Sequence, residues 1–225
     1  TDANGSYVAR NFIIVEVNST DTNFNSTNVS LFNATSSAIV RSNQTFSVAD
    51  FGSNSTNVAL YLNFTALTDG TYFFNVTGND TAGHLNNTLL TRTIVVDTTN
   101  PLLTYGTTTD ANGSYVGRNF IIVNVTATEL NLNITNVTLN NVTGGANYSN
   151  LTLFNSTNPT YINFTNLLDG IYFFNVTAND TAGNRNNSFV TRTVTVDTIF
   201  PNLSYVSGTD ANGSYVARNF IIVEV

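Results

Sequence analysis

The chain has 225 residues, 41% of them apolar and only 9% charged, with seven arginines, no lysine, fourteen acids and a net charge of −7. That balance excludes the basic stripe that a nucleic-acid backbone requires, and 16 Phe with 10 Tyr supply enough apolar surface to exclude disorder despite the Asn and Thr richness. Cysteine is absent, so no disulfide staples the fold, and no apolar run reaches the length of a membrane span.

From the first residue the chain repeats itself. Residues 1–17, TDANGSYVARNFIIVEV, return unchanged at 209–225, and residues 67–125 return, with substitutions but no gap, at 167–225. A period of about one hundred residues is too long for a solenoid unit and matches a self-contained domain. The expected division is 1–97, a domain without its first strand; 98–197, a full domain; and 198–225, the opening strands of a third repeat or a segment donated to a neighbour.

Within 98–197 the strands are expected near 101–107, 119–126, 133–139, 148–154 and 160–166, followed by two with clear alternation. Tyr172, Phe174 and Val176 share one parity and Phe173, Asn175, Thr177 and Asn179 the other, the period of a half-buried strand. Val194 and Val196 oppose Thr191, Thr193 and Thr195 in the same way. Asp180 and Gly183 between them are turn formers, so the pair reads as a hairpin with a longer loop. About seven short strands at ten-residue spacing, with no helical period, predict an all-β fold of tandem β-sandwiches. Leu167, Asp169, Gly170 and Tyr172, matched by Leu67, Asp69, Gly70 and Tyr72, place a Tyr after a tight turn at the head of a strand, the arrangement of a tyrosine corner, in which the hydroxyl satisfies a backbone group upstream. Tyr72, Phe74 and Val76, with their counterparts, are the expected core.

The run DGxYxFNVTAxDTAGN, a threonine-rich strand, and VDTxxP opening the next copy resemble the bacterial and archaeal immunoglobulin-like domains strung in tandem through surface adhesins, S-layer-associated proteins and extracellular filaments. The resemblance covers the back half of each repeat and implies the fold and an extracellular, cell-surface location, but no ligand. The middles, 18–66 and 126–166, carry no part of it. Only DTTN and DTIF separate Val96 from Pro101 and Val196 from Pro201, with no Gly or Ser to swivel on, so the joints should be stiff and the domains strung as a rod. Both prolines suit the head of an edge strand.

A catalytic centre needs a nucleophile, a base and an orienting group. The chain offers one histidine, His84, where the second copy has Asn184, and carboxylates that are mostly turn residues, so no enzyme and no cofactor is expected. The resemblance implies that Ca²⁺ could lie at the joints near Asp97, Asp197, Asp110 and Asp210, with Asp80 and Asp180 as further candidates. No stretch has the dense acidic spacing calcium favours, and the preferred reading makes these residues caps of turns, with no metal. Arg92 and Arg192 share the inward parity of their strands and Arg10, Arg118 and Arg218 precede the FII strand. All five are expected to reach turn carboxylates rather than a ligand.

One signal exceeds background. With 38 Asn and 54 Ser plus Thr, chance gives about nine Asn-x-Ser/Thr triplets, yet 25 are present. In 12 of them the middle residue is large and apolar, so a strand sends Asn and Thr outward and the middle residue into the core. Covalent N-glycans are therefore expected, with Asn18, Asn28, Asn33, Asn63, Asn75, Asn79, Asn124, Asn136, Asn150, Asn163, Asn175, Asn179 and Asn202 as acceptors. Asn133 and Asn136, three apart, would face opposite ways unless a bulge lies between them. Phe12 and Ile14, or Phe120 and Ile122, share the outward parity of Glu16 and Asn124, so a glycan or a neighbouring chain should cover them.

The reading that results is a heavily N-glycosylated structural repeat of an extracellular filament or surface stalk. The alternatives are the spacer of an adhesin whose binding tip lies elsewhere, and an S-layer lattice protein. Absence of cysteine and abundance of so short a glycosylation motif point to an archaeal source. Partners are copies of itself, head to tail and laterally, with no nucleic acid and no membrane span in this segment. Residues 198–225 are too few to bury a core. Either the chain is a window on a longer periodic polypeptide or a subunit lends these strands to the next, and in both cases Phe200, Ile221, Val223 and Val225 should meet an adjoining unit.

Overall fold

The computed structural model describes residues 1–36, 39–47, 57–142, 147–153 and 160–225, and the side chains of 1–36, 59–142 and 161–225. Its regular structure is β throughout. In the first half lie β1 (Ser6–Val8), β2 (Ile13–Thr20), β3 (Phe24–Asn33), β4 (Ile39–Ser47), β5 (Asn57–Phe64), β6 (Gly70–Asp80), β7 (Leu85–Asn86) and β8 (Arg92–Val96). The second half holds β9 (Leu102–Tyr105), β10 (Ser114–Val116), β11 (Ile121–Thr128), β12 (Leu132–Asn141), β13 (Asn147–Leu153), β14 (Thr160–Phe164), β15 (Gly170–Asp180), β16 (Arg185–Asn186) and β17 (Arg192–Val196).

Alternation in sequence becomes alternation in burial. In β15, Tyr172, Phe174, Val176 and Ala178 are buried while Phe173, Asn175, Thr177 and Asn179 are half-buried on the other face. The same face of β6 buries Tyr72, Phe74 and Val76. Each half closes as two sheets. The larger runs β1-β8-β6-β3-β4 with β7 on β6, and correspondingly β10-β17-β15-β12-β13 with β16 on β15. The smaller is β2-β5 in the first half and β14-β11-β9 in the second. Ile13, Val15, Leu62 and Phe64 of the small sheet pack on Val29, Leu31, Tyr72, Phe74, Ile94 and Val96 of the large one. Leu103, Ile121, Val123 and Phe164 meet Val137, Leu139, Phe174 and Val194 likewise. Each such side chain contributes about 1.5–3 kcal/mol when fully buried. This is a pair of immunoglobulin-like β-sandwiches.

The expected tyrosine corners are present. Tyr72 donates its hydroxyl to the Thr68 carbonyl and Tyr172 to the Leu168 carbonyl, both at 2.8 Å. Pro101 stands at the head of β9, an edge strand, and β15 pairs antiparallel with β17. A register shift between Leu132 and Ile134 puts a bulge at Asn133, so Asn133 and Asn136 both lie outside the core. Two short pairings were not expected: β1 runs parallel to β8 and β10 to β17. Three residues are too few to show a period, and their register is set by side chains elsewhere.

That register comes from the TDANGSYVxRNFII stretch, which folds locally in all three of its copies. Asp110 accepts from Arg118 at 2.5 Å and from the Ile122 amide at 2.9 Å, and Asp2 and Asp210 hold Arg10 with Ile14 and Arg218 with Ile222 in the same way. The turn between them passes through Gly113 at φ +77°, a conformation that L side chains rarely adopt. Asn112 next to it accepts from the Thr193 amide at 2.8 Å and so docks the turn on β17. Residues 198–225 keep the local fold but form no strand, and Phe200, Ile221, Val223 and Val225 are exposed in the single chain.

Candidate functional site

The sequon faces come first. Asn63 and Asn163 stand exposed on β5 and β14 between the buried pairs Leu62/Phe64 and Ile162/Phe164. Each pairs across the strand with the second Ile of the FII stretch, Asn63 with Ile14 and Asn163 with Ile122. A sugar on either amide would therefore rise beside the outward apolar residues of the small sheet. Phe12, Ile14, Phe120 and Ile122 are half-buried rather than bare. Part of their cover is internal, since Arg10 lies 4.5 Å over the Phe12 ring and Arg118 4.6 Å over Phe120.

Asn18 and Asn202 are also exposed. Asn28, Asn75, Asn79, Asn136, Asn175 and Asn179 line the outer face of the large sheets, half-buried among Thr and Ser. The side-chain oxygens of Asn28, Asn136 and Asn175 are enclosed there without a protein partner, and Asn79 accepts from Ser26. Asn33 caps its own turn, accepting from Thr35 at 2.9 Å and Ser36 at 3.3 Å. Asn124 gives its amide to Thr108 at 3.0 Å and lies where a Cβ on Gly106 would stand, so sugar there would have to displace that contact. Asn150 is on β13, and its side chain falls outside the described residues.

The joint between the sandwiches is the second feature. Asp97 is buried; its amide donates to the Val8 carbonyl at 3.1 Å and its carboxylate accepts from Thr99 at 3.2 Å and from the Asn131 side chain at 3.1 Å. Asn184 donates to the Asp97 carbonyl at 2.7 Å and Asn186 to the Pro101 carbonyl at 2.9 Å. From the other side, Asp69 accepts from the amide and hydroxyl of Thr98 at 2.9 and 2.7 Å and from the Thr99 hydroxyl at 2.6 Å. Burial pushes the Asp69 carboxyl up, but these donors outweigh it and hold the group below the ordinary carboxylate range. Sequence reading missed Asn131, Asn184 and Asn186; the NRNN run was legible only as a turn.

The acidic residues do cap turns. Asp180 accepts from the amides of Gly183 at 2.7 Å and Asn184 at 2.9 Å, Asp197 from Ile199 at 3.2 Å. His84 is exposed and 2.7 Å from Asp80, whose hydrogen bond and charge raise the imidazole pKa. Arg92 and Arg192 reach not carboxylates but the carbonyls of Asp2 and Asp110, both at 3.0 Å.

The third feature is how β9 closes the second sandwich. Tyr105 packs edge-on to Phe174 at 5.6 Å and against Phe189 at 4.4 Å, lies 4.1 Å beneath the Arg192 guanidinium and donates to the Val190 carbonyl at 2.9 Å. Burial pushes its phenol up to about 12, with the Arg192 charge acting against the rise. A phenol whose folded pKa exceeds its unfolded value near 10 gives stability that is present below pH about 10 and lost as pH rises toward 12. An ultraviolet titration should thus show a tyrosine step near pH 12 that Tyr105→Phe removes.

Comparison with protein-family models and with curated protein sequences finds no match. Among solved structures the chain is similar to a tetra-tandem repeat from the extending region of a large adhesion protein, at 17% identity and a TM-score of 0.42, over 84% of this chain and 50% of that one. It thus spans half the length of that fragment. A marsupial T cell receptor gives 13% identity and a TM-score of 0.48 over 91% of this chain and 75% of its own. A two-domain fibronectin type-III segment of chicken tenascin gives 11% and 0.34 over 84% and 94%. The likeness is one of fold.

Proposed function

We propose that the chain is a structural, N-glycosylated repeat of an extracellular filament or cell-surface stalk, in which sandwiches follow one another through short bonded joints. The observation that carries this reading is the coincidence of sequon and strand. Asn63 and Asn163 are held outward by the same alternation that buries Leu62, Phe64, Ile162 and Phe164, and glycosylation needs an exposed amide of this kind. Sugar would also give the surface the hydrophilic cover that 9% charge does not. The joint supports the mechanical half of the proposal, since Asp97 and Pro101 are bonded to the second sandwich on both carbonyls. The similarity to a repeat from the extending region of an adhesion protein is a likeness of fold and lends the adhesin-spacer reading no separate weight. No nucleophile and base arrangement was legible in the sequence, and we assign no enzymatic role. Electron microscopy of the native particle tests the reading: threads or brushes are expected, and a two-dimensional sheet would favour a lattice protein instead.

A further inference from the structure

The two copies of the strand that carries Asn63 and Asn163 have diverged in sequence. Of the ten residues 57–66, NVALYLNFTA, only Tyr61, Asn63, Phe64 and Thr65 recur at the same places in 157–166, TNPTYINFTN. Phe64 and Phe164 recur because they fill their cores, and Asn with Thr spells the sequon. Tyr61 and Tyr161 have no such reason. They are 61% and 58% exposed and lie on the face turned away from the core, with buried Leu62 and Ile162 at the opposite parity.

Among the described residues neither phenol has a hydrogen bond, a stacked ring or a cation over it, in contrast with Tyr105, which has all three. Nor do the two share a neighbour across the sheet, since Tyr61 pairs with Glu16 and Tyr161 with Asn124. What they share is Asn63 or Asn163, two residues further on and on the same face, about 6.6 Å along the strand. Neither of these asparagines gives its amide to a described residue, whereas Asn124 donates to Thr108 and Asn186 to the Pro101 carbonyl. Across the strand each stands beside Ile14 or Ile122. The acceptor amide is thus flanked by an exposed aromatic face and an aliphatic side chain.

We propose that Tyr61 and Tyr161 are platforms on which the first sugar linked to Asn63 and Asn163 lies, so that each glycan is a structural part of its sandwich as well as a coat. A pyranose presents C–H groups on one face. Their partial positive charge matches the negative face of an aromatic ring, while the sugar hydroxyls and the phenol oxygen stay in water. Stacking removes ring surface from water, and the gain appears as stability of the sandwich. Phe73 and Phe173 stand in the same relation to Asn75 and Asn175, but both rings are half-buried and the Asn175 oxygen is enclosed, so the tyrosines are the better platforms. The inference rests on the N-glycosylation read above and names what the first sugar touches.

The test uses the full chain made in a eukaryotic host, whose N-glycans begin with N-acetylglucosamine, with occupancy of Asn163 read by site mapping. It is compared with Tyr161→Ala, Asn163→Gln and the double variant. Tyr161→Ala should lower the folding equilibrium constant of the second sandwich about threefold or more further with the sugar present than in the Asn163→Gln background, a coupling of the size found between groups in contact. Tyr161→Phe, which keeps the ring, should keep the coupling. In nuclear magnetic resonance spectra the protons of the Asn163-linked N-acetylglucosamine should lie upfield through the ring current, and should lose that shift in Tyr161→Ala but not in Tyr161→Phe. Additive effects with Asn163 occupied, or sugar protons without the shift, would overturn the platform and leave the glycosylation standing. An Asn163 that this host leaves bare would overturn both. A Tyr161→Ala effect confined to self-association would give the ring to a neighbouring copy and overturn the platform. Coupling in this host, with a protein bare in its native source, would support the platform and overturn the proposed function alone.

Discussion

Tyr172→Ala is expected to cost the second sandwich about 3–5 kcal/mol, the range for emptying a fully buried aromatic site, and to unfold it under conditions where the first sandwich persists. The ring has no exposed surface and packs in the core among Phe174, Val176 and Val194, so its loss leaves a cavity that rigid sheets close poorly. Since single domains hold only about 5–15 kcal/mol in all, the loss should split denaturant unfolding into two transitions. Tyr172→Phe keeps the ring and deletes the 2.8 Å bond to Leu168, for a cost of about 0.5–1.5 kcal/mol. Tyr72→Ala should act in the same way on the first sandwich alone. Equal effects of Ala and Phe at residue 172 would show that the ring is not packed.

The second large effect concerns shape rather than stability. Asn131→Ala with Asn184→Ala removes the asparagine donors to the Asp97 carboxylate and carbonyl, leaving the local Thr99 amide, and should leave both cores intact while the sandwiches swing more freely about residues 97–101. X-ray scattering should show a broader distribution of end-to-end distances with unchanged melting of either half. Acid should loosen the same joint from its other side. Asp69 has a depressed pKa, so its contribution is present above its ordinary value of 3.8 and lost as pH falls through the lowered one. An unchanged scattering profile in the double variant would mean that packing, not these bonds, sets the joint.

Much of this was legible because period and burial are the same fact in a strand. Tyr172, Phe174 and Val176 announced an inward face, and the bulge at Asn133 followed from the spacing of two sequons that had to share a side. The corner tyrosines were legible from a turn and a ring at fixed distance. What was not legible depends on contacts between distant residues. Ser114–Val116 is too short for a period and pairs with β17 because Asn112 reaches Thr193. The joint depends on Asn131 and Asn184 in loops and on Asn186 in the two-residue β16, where composition says turn and nothing says partner. Asn124 shows the limit for the candidate acceptors: parity puts it outward, but only the fold shows its side chain resting on Gly106. Arg92 and Arg192 were read toward carboxylates, while the turn they face presents carbonyls.

Whether the repeat is clothed in sugar is decided by the mass of the protein from its native source before and after deglycosylation, followed by site mapping. Sugar on the repeat should make the native mass heterogeneous and lower it on deglycosylation, with Asn63 and Asn163 occupied. A native protein whose mass deglycosylation leaves unchanged, or one with sugar elsewhere and both of these asparagines unmodified, would contradict that reading.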